Sequence, residues 1–400
     1  MSTVLVAGGG IGGLAAALSV AQAGHRAVVL ERRGAFTELG AGIQIGPNGF
    51  HALDRLGVGD AVRALAVYVD ELRFMDGTTD ERVRSMPLTE RYRKRFGNPY
   101  AVVRRADLYE PLLAACRACD AVDLRTDSRV TAYEQDAASV TAVLESGQRV
   151  RGAALVGADG IRSAVRAQLV GDGEPRVSGH TIFRSVIPMD EVPPHLRWNC
   201  VTLWAGPRWH FVHYPIGEGK YLNLAATRDD GARQVVVGRP TGRDRVLGAF
   251  ADLGRTAREL LELGAQWREW VLCDRDPVGS WTDRRVTLLG DAAHPMLQYA
   301  AQGACMALED AVVLGEVLAC AEGGFALAWA EYESRRRRRT ADAQWVAREM
   351  GRSLYHPAGQ EAAARNAMLS GLSDDALYEK VSWLHDDRGF SRALRPVGAS

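Results

Sequence analysis

Hydrophobic residues near the amino terminus fall into short, sharply bounded runs. Val4 to Ala7 is apolar throughout and is closed by Gly8, the pattern of a strand buried on both faces. The Ala- and Leu-rich stretch from Gly12 to Ala23 predicts a helix with Gly24 as its stop. Ala27 to Leu30 repeats the strand pattern, so the start of the chain reads as a βαβ unit. From about Val69 to Ala101 the pattern weakens and Arg, Asp and Thr accumulate. Apolar Leu108, Leu112 and Leu113 then predict a helix over "VVRRADLYEPLLAACRAC".

Alternating apolar and polar residues in "VTAYEQDAASVTAVLESGQRVRGAALVGADG" predict a β-meander that returns to a buried strand at Ala153 to Val156. Val177 to about Ala226 is rich in β-branched and aromatic residues, which predicts a larger antiparallel sheet. Gly248 to Trp270 is expected to be helical, Val286 to Leu289 a buried strand, and Ala304 to about Met350 a long helix. The tail from Ser353 reads as irregular and then helical. One domain is therefore expected to be assembled from separated segments, with a sheet inserted between them.

Bulk properties narrow the class. At 400 residues, with 47% hydrophobic and 24% charged content, the chain can bury a sizeable core in one large or two to three ordinary domains. A formal net charge of zero argues against a general attraction to nucleic acid or anionic membranes. Apolar runs are broken well short of a membrane-spanning length. The first strand leaves no room for a signal peptide, and six scattered cysteines do not form a disulfide scaffold, so a reducing cytoplasm is expected. Cys116 and Cys119 read as helix-packing residues rather than metal ligands. The run Arg335 to Arg339 reads as a solvated, salt-bridged helix face.

Chemistry enters with Gly8-x-Gly10-x-x-Gly13, set between a predicted strand and helix. The first glycine permits the tight turn, the second lets the backbone approach a pyrophosphate, and the third lets helix and strand pack closely. Ile11 and Gly12 open the helix, whose free N–H groups and dipole favour phosphate. Glu31, eighteen residues after Gly13, ends the second strand. Its carboxylate suits ribose hydroxyls and repels a 2′-phosphate, and Arg32 beside it belongs to the same cofactor-binding set. This loop alone leaves NAD and FAD both open.

Three later segments carry a resemblance. "GADGIRSAVR" (Gly157 to Arg166), "GDAAHP" (Gly290 to Pro295) and "RADLYEPL" (Arg105 to Leu112), together with the loop and Glu31, resemble the FAD-dependent aromatic hydroxylases. These are the single-component flavoprotein monooxygenases related to 4-hydroxybenzoate hydroxylase. The resemblance implies that Asp159 lies near the flavin and the nicotinamide path, that Asp291 binds the ribityl chain, and that Arg105 contacts FAD. The helix begun by Gly303 and Ala304 would turn its N–H groups toward the flavin pyrimidine. The implied fold is α/β: a Rossmann-like FAD-binding domain (1–70, 101–175, 276–340), an inserted, mainly antiparallel substrate domain (71–100, 176–275), and a C-terminal helical region (341–400). One departure is plain: "PMLQYAAQG" lacks the second Pro of the Pro-x-x-Gly-Gln-Gly found in many relatives.

In "GPRWHFVHYPIG", period two places His210, Val212 and Tyr214 on one strand face and His213 on the other. By resemblance to the 3-hydroxybenzoate 6-hydroxylases within the family, His210 and Tyr214 meet a substrate phenol, with Gln298, Tyr100 and Gln44 as further pocket residues. His210 suits the phenolic proton; Tyr214 would hold the same oxygen or orient His210, and Gln298 would bond the phenol or a carboxylate. The implied reaction uses bound FAD, O2 and a transient nicotinamide, NADH or NADPH with NADH preferred, and inserts one oxygen into a small phenolic acid through a flavin C4a-hydroperoxide. Conversion of 3-hydroxybenzoate to gentisate is expected. Salicylate, 6-hydroxynicotinate and a biosynthetic phenol stay open as substrates, and so does a flavin-dependent reductase as a different class. A homodimer through the C-terminal helices is also open.

Overall fold

The computed structural model describes residues 1–37, 41–320 and 322–387. A six-stranded sheet forms one layer, in the spatial order Thr282–Asp283, Val286–Leu288, Ala154–Gly157, Thr3–Ala7, Arg26–Leu30, Val122–Arg125. All neighbours in it are parallel except the first pair. Val6 lies between Val29 and Val156, so the central strands are apolar on both faces. The helix Ile11–Gln22 packs against a later helix, Gly303–Ala319. The predicted meander is present as Val130–Gln135, Val140–Leu144 and Arg149–Gly152.

A second, eight-stranded sheet draws Glu71–Asp76 and Arg82–Pro87 from one part of the chain. Its other strands lie between Arg176 and Asp274. Its middle is antiparallel: Arg176–Pro188 pairs with Tyr221–Asp229, which pairs with Trp209–Ile216. A small sheet, Gly42–Ile45, Ala101–Arg104 and Val67–Tyr68, abuts it. Hydrogen bonding joins the two, because Gly42 N–H donates to Asn223 Oδ1 at 3.0 Å.

Four local expectations are corrected. Val102 to Arg104 is strand, and the helix begins only at Arg105 and runs to Arg117; the β-branched pair Val102–Val103 belongs to the strand pairing. Gly248 to Trp270 is not one helix. Helices Arg243–Ala249 and Arg255–Glu262 are followed by a strand from Arg268 to Asp274, whose alternating Glu269 and Val271 face inward. The long helix is interrupted before Phe325, where Gly324 has φ +81°.

The fourth correction concerns Arg335 to Arg339. Arg338 is exposed, but Arg336 and Arg339 share a helix face turned inward onto Gly303–Ala319. Arg336 lies 2.7 Å from both Glu309 and Asp310, and Arg339 lies 2.7 Å from Glu309. Buried charge needs such pairing. Burial alone would push the Asp310 carboxyl up, but His294 and Arg336 outweigh it and hold it at about 2.

Candidate active site

The glycine loop joins the carboxyl end of Thr3–Ala7 to the helix Ile11–Gln22. Gly8 has φ +101°, and a Cβ on Gly13 would sit 1.9 Å from the Gly8 carbonyl oxygen. Around Gly10 there is no protein atom within 4 Å of a Cβ position, so the loop presents an open backbone face there. No side chain caps the helix, leaving the N–H groups of Ile11 and Gly12 to a ligand. Glu31 is buried: Gly9 N–H donates to Oε2 at 2.7 Å and Arg33 N–H to Oε1 at 3.0 Å. Arg32 is exposed beside it.

Asp159 follows the strand Ala154–Gly157. It accepts from Ala164 N–H at 2.8 Å, while its buried Oδ1 has no partner. Burial pushes its carboxyl up, against the hydrogen bonds of Ser163 and the local backbone. Asp291 lies just past the carboxyl end of Val286–Leu288, where open α/β sheets bind ligands. It is exposed on a cavity of about 340 Å³ that Arg162, Arg184, Trp270 and Met296 also line.

The motifs holding these two acids are bolted together. Fully buried Arg166 donates to the carbonyls of Ala292 at 3.0 Å and Ala293 at 2.6 Å, and its Nη2 lies 2.7 Å from Asp172. Gly290 N–H and His294 Nε2 both bond Asp310 Oδ2. Gly303 and Ala304 begin their helix with no side-chain cap, and Gly303 faces Asp291. Arg105 opens its own helix, its N–H donating to Ala41 O at 3.2 Å.

On the eight-stranded sheet, His210 and Tyr214 are both buried and share a face. His213 lies on the other face, 5.6 Å from Trp198, with burial holding it at about 3. Tyr100 Oη donates to Gln44 Oε1 at 2.5 Å, and Gln44 also bonds Tyr214. Burial pushes the Tyr214 phenol up to about 12, against the pull of Arg184 and Gln44. The partner of His210 is not Tyr214: His210 Nδ1 lies 2.8 Å from His356 Nε2. Tyr299 and Tyr355 close round the His210 ring at 4.9 and 5.0 Å. Gln298 accepts a short hydrogen bond from Arg184.

The sequence reading missed Arg184, His180, His356 and Tyr355. Arg184 lies in register with Ala225, which pairs with Val212, so Arg184 stands on the face shared by His210 and Tyr214. Its buried Nε has no hydrogen-bond partner. An inward-facing Arg in "HTIFRSV" was a legible signal once that stretch was read as strand. His356 follows a short π-helical turn, Met350–Tyr355, and nothing local in the sequence marks it.

A glycine loop with an open backbone face, a buried acid behind it, a second acid past the carboxyl end of Val286–Leu288 and two uncapped helix N-termini fit a long, phosphate-bearing flavin dinucleotide. The unpartnered Asp159 oxygen fits it as well. With the buried face that carries His210 and Tyr214, these features define a flavin-dependent oxidoreductase. The chain belongs to the FAD-dependent aromatic hydroxylases. The FAD binding domain family matches residues 1–207 and 255–347. The chain is 47% identical over 384 residues to 3-hydroxybenzoate 6-hydroxylase 1 of Aquipseudomonas alcaligenes, covering 96% of this chain and 97% of that protein. It is 43% identical to the 3-hydroxybenzoate 6-hydroxylase of Polaromonas naphthalenivorans, covering 96% and 95%. Among solved structures, HpxO of Klebsiella pneumoniae with FAD and uric acid superposes with a TM-score of 0.85 at 27% identity, covering 94% and 95%. A salicylate hydroxylase substrate complex gives 0.82 at 25% identity, covering 98% and 99%. No helix among the described residues is long and apolar enough to cross a membrane.

Proposed function

We propose that this protein hydroxylates 3-hydroxybenzoate at the carbon para to its hydroxyl, giving gentisate, with NADH as reductant and O2 as the oxygen source. The observation that carries the reading is the placement of His210 and Arg184 on one face of one sheet, with the small Ala225 between their strands. Adjacent strands lie about 4.8 Å apart, so the two strands stand roughly 10 Å apart across a trough floored by Ala225. A benzene ring carrying a phenol at one side and a carboxylate at the other fits between an imidazole and a guanidinium.

The roles follow from the chemistry of each group. Bound FAD, once reduced, would activate O2 so that one of its two oxygen atoms can be transferred to the ring. Gly8 to Gly13, Glu31, Arg105, Asp159, Asp291 and the helix begun by Gly303 would hold it. His210 accepts the phenolic proton, which raises electron density at the para carbon. Tyr214, held by Gln44 and Tyr100, walls the pocket and keeps water out. Arg184 pairs with the carboxylate through its unpartnered Nε, and positions Gln298. Residues 1–70, 101–175 and 276–340 form the cofactor domain in this reading, and 71–100 and 176–275 the substrate domain.

The test is oxygen uptake and product analysis on FAD-loaded protein with NADH across 3-hydroxybenzoate, salicylate, 4-hydroxybenzoate and 6-hydroxynicotinate. Coupled gentisate formation from the first substrate is expected. Coupled product from another ring, with none from 3-hydroxybenzoate, overturns the substrate assignment.

A further inference from the structure

His210 is enclosed on every side, with 2% of its surface exposed. A proton placed on it from a phenol would make a charged ring in an apolar setting, which is costly unless the charge moves on. Among the described residues its one hydrogen-bond partner is His356, at 2.8 Å between His210 Nδ1 and His356 Nε2. The two rings meet edge to edge, with centroids 5.1 Å apart and planes 26° apart. His356 is half-buried, and the backbone N–H of Arg208, an exposed residue, donates to its carbonyl at 3.0 Å. The groups facing His356 come from four elements. They are His210 and Arg208 on and before one strand, and His180 and Asp229 on two others. Tyr299 faces it from the short turn Gln298–Ala300. Asp229 is the one acid among them; it favours a positive charge on His356, while Arg208, ion-paired with it at 3.2 Å, opposes that charge, and burial with His180 outweighs it in the resting protein.

We infer that His356 is a proton relay that carries the phenolic proton from His210 out toward solvent beside Asp229. This rests on the hydroxylase reading above. Neutral His210 carries its hydrogen on Nδ1 and donates it to His356 Nε2. The phenol O–H bond breaks and a new N–H forms at His210 Nε2. The Nδ1–H of His210 then breaks as His356 Nε2 gains the proton. His210 is left neutral in its other tautomer, donating from Nε2 to the phenolate. His356, now an imidazolium, releases its Nδ1 proton to water. No electrons change hands. His356 touches the substrate only through His210 and is therefore a positioning residue.

The experiment uses FAD-loaded protein, weakly buffered near neutral pH, mixed rapidly with 3-hydroxybenzoate in the presence of a pH-indicator dye. The wild type should release about one proton per bound phenol. His356→Gln should bind 3-hydroxybenzoate within about threefold of wild type and release the proton ~10-fold or more slowly, with added imidazole restoring the rate. Asp229→Asn, a change at the outer end of the path, should slow release several-fold. Release at the wild-type rate in both variants overturns the relay. Should His356→Gln fail to hold FAD, Asp229→Asn alone decides in the same way. Failure of 3-hydroxybenzoate to bind wild type at all refutes the substrate reading instead, and is thereby distinguishable.

Discussion

His210 and His356 meet ring to ring, 2.8 Å between nitrogens, and among the described residues neither has a carboxylate at hydrogen-bond distance. Both are therefore held as neutral imidazoles. Burial, then His356 and His180, keeps His210 well below 6.5, and burial with His180 keeps His356 at about 3. Burial holds His213 and His385 at about 3 as well.

Stability should consequently fall in mild acid. Between about pH 3 and 6.5 the unfolded chain binds protons at these rings that the folded chain refuses. Each fully buried ring then adds a slope of up to ~1.4 kcal/mol per pH unit, the half-exposed His356 less. The contribution is complete above 6.5 and is lost as pH falls toward 3. Urea unfolding at neutral pH and in mild acid checks this; identical midpoints contradict it.

Arg184→Met should weaken binding of 3-hydroxybenzoate by roughly 10- to 100-fold, the loss of a charge-assisted hydrogen bond. Binding of unsubstituted phenol, which has no carboxylate, should change little. Titration of both ligands against the flavin spectrum separates the cases, and equal losses for the two refute the carboxylate role.

The two ends of the glycine loop should respond differently. Gly13→Ala places a Cβ 1.9 Å from the Gly8 carbonyl and should destabilise the fold even without FAD. Gly10→Ala meets no protein atom within 4 Å and should leave apoprotein melting unchanged while weakening FAD affinity about 10-fold or more. Melting curves of apoprotein and FAD titrations test the pair.

Arg336→Met leaves Glu309 partly paired and Asp310 with His294 and the Gly290 N–H, all of them buried. The expected cost is about 3–5 kcal/mol. Arg338→Ala, two positions on, should change stability by less than about 0.5 kcal/mol, since Arg338 is 95% exposed. Chemical denaturation of both variants is the check.

The contrast between these two arginines shows what was legible in the sequence and what was not. Local pattern located the strand–loop–helix at Gly8 to Gly13, because the backbone geometry of that turn demands glycine. It also placed His210, Val212 and Tyr214 together, because strand periodicity is strict. It misread Arg335 to Arg339, because the partners that draw Arg336 inward, Glu309 and Asp310, lie on a different helix. His356 escaped notice for the same reason: its meaning comes from His210, brought to it by packing of a distant π-helical turn. Arg184 was hidden by treating its strand as generic sheet, without the register that sets it opposite Ala225.

The most direct test of the account is to supply FAD-loaded protein with 3-hydroxybenzoate, NADH and ¹⁸O2 and to identify the product by mass spectrometry. The account predicts gentisate carrying one ¹⁸O atom, formed in near-stoichiometric proportion to NADH consumed. NADH oxidation that yields only hydrogen peroxide, or a product without the label, would contradict it.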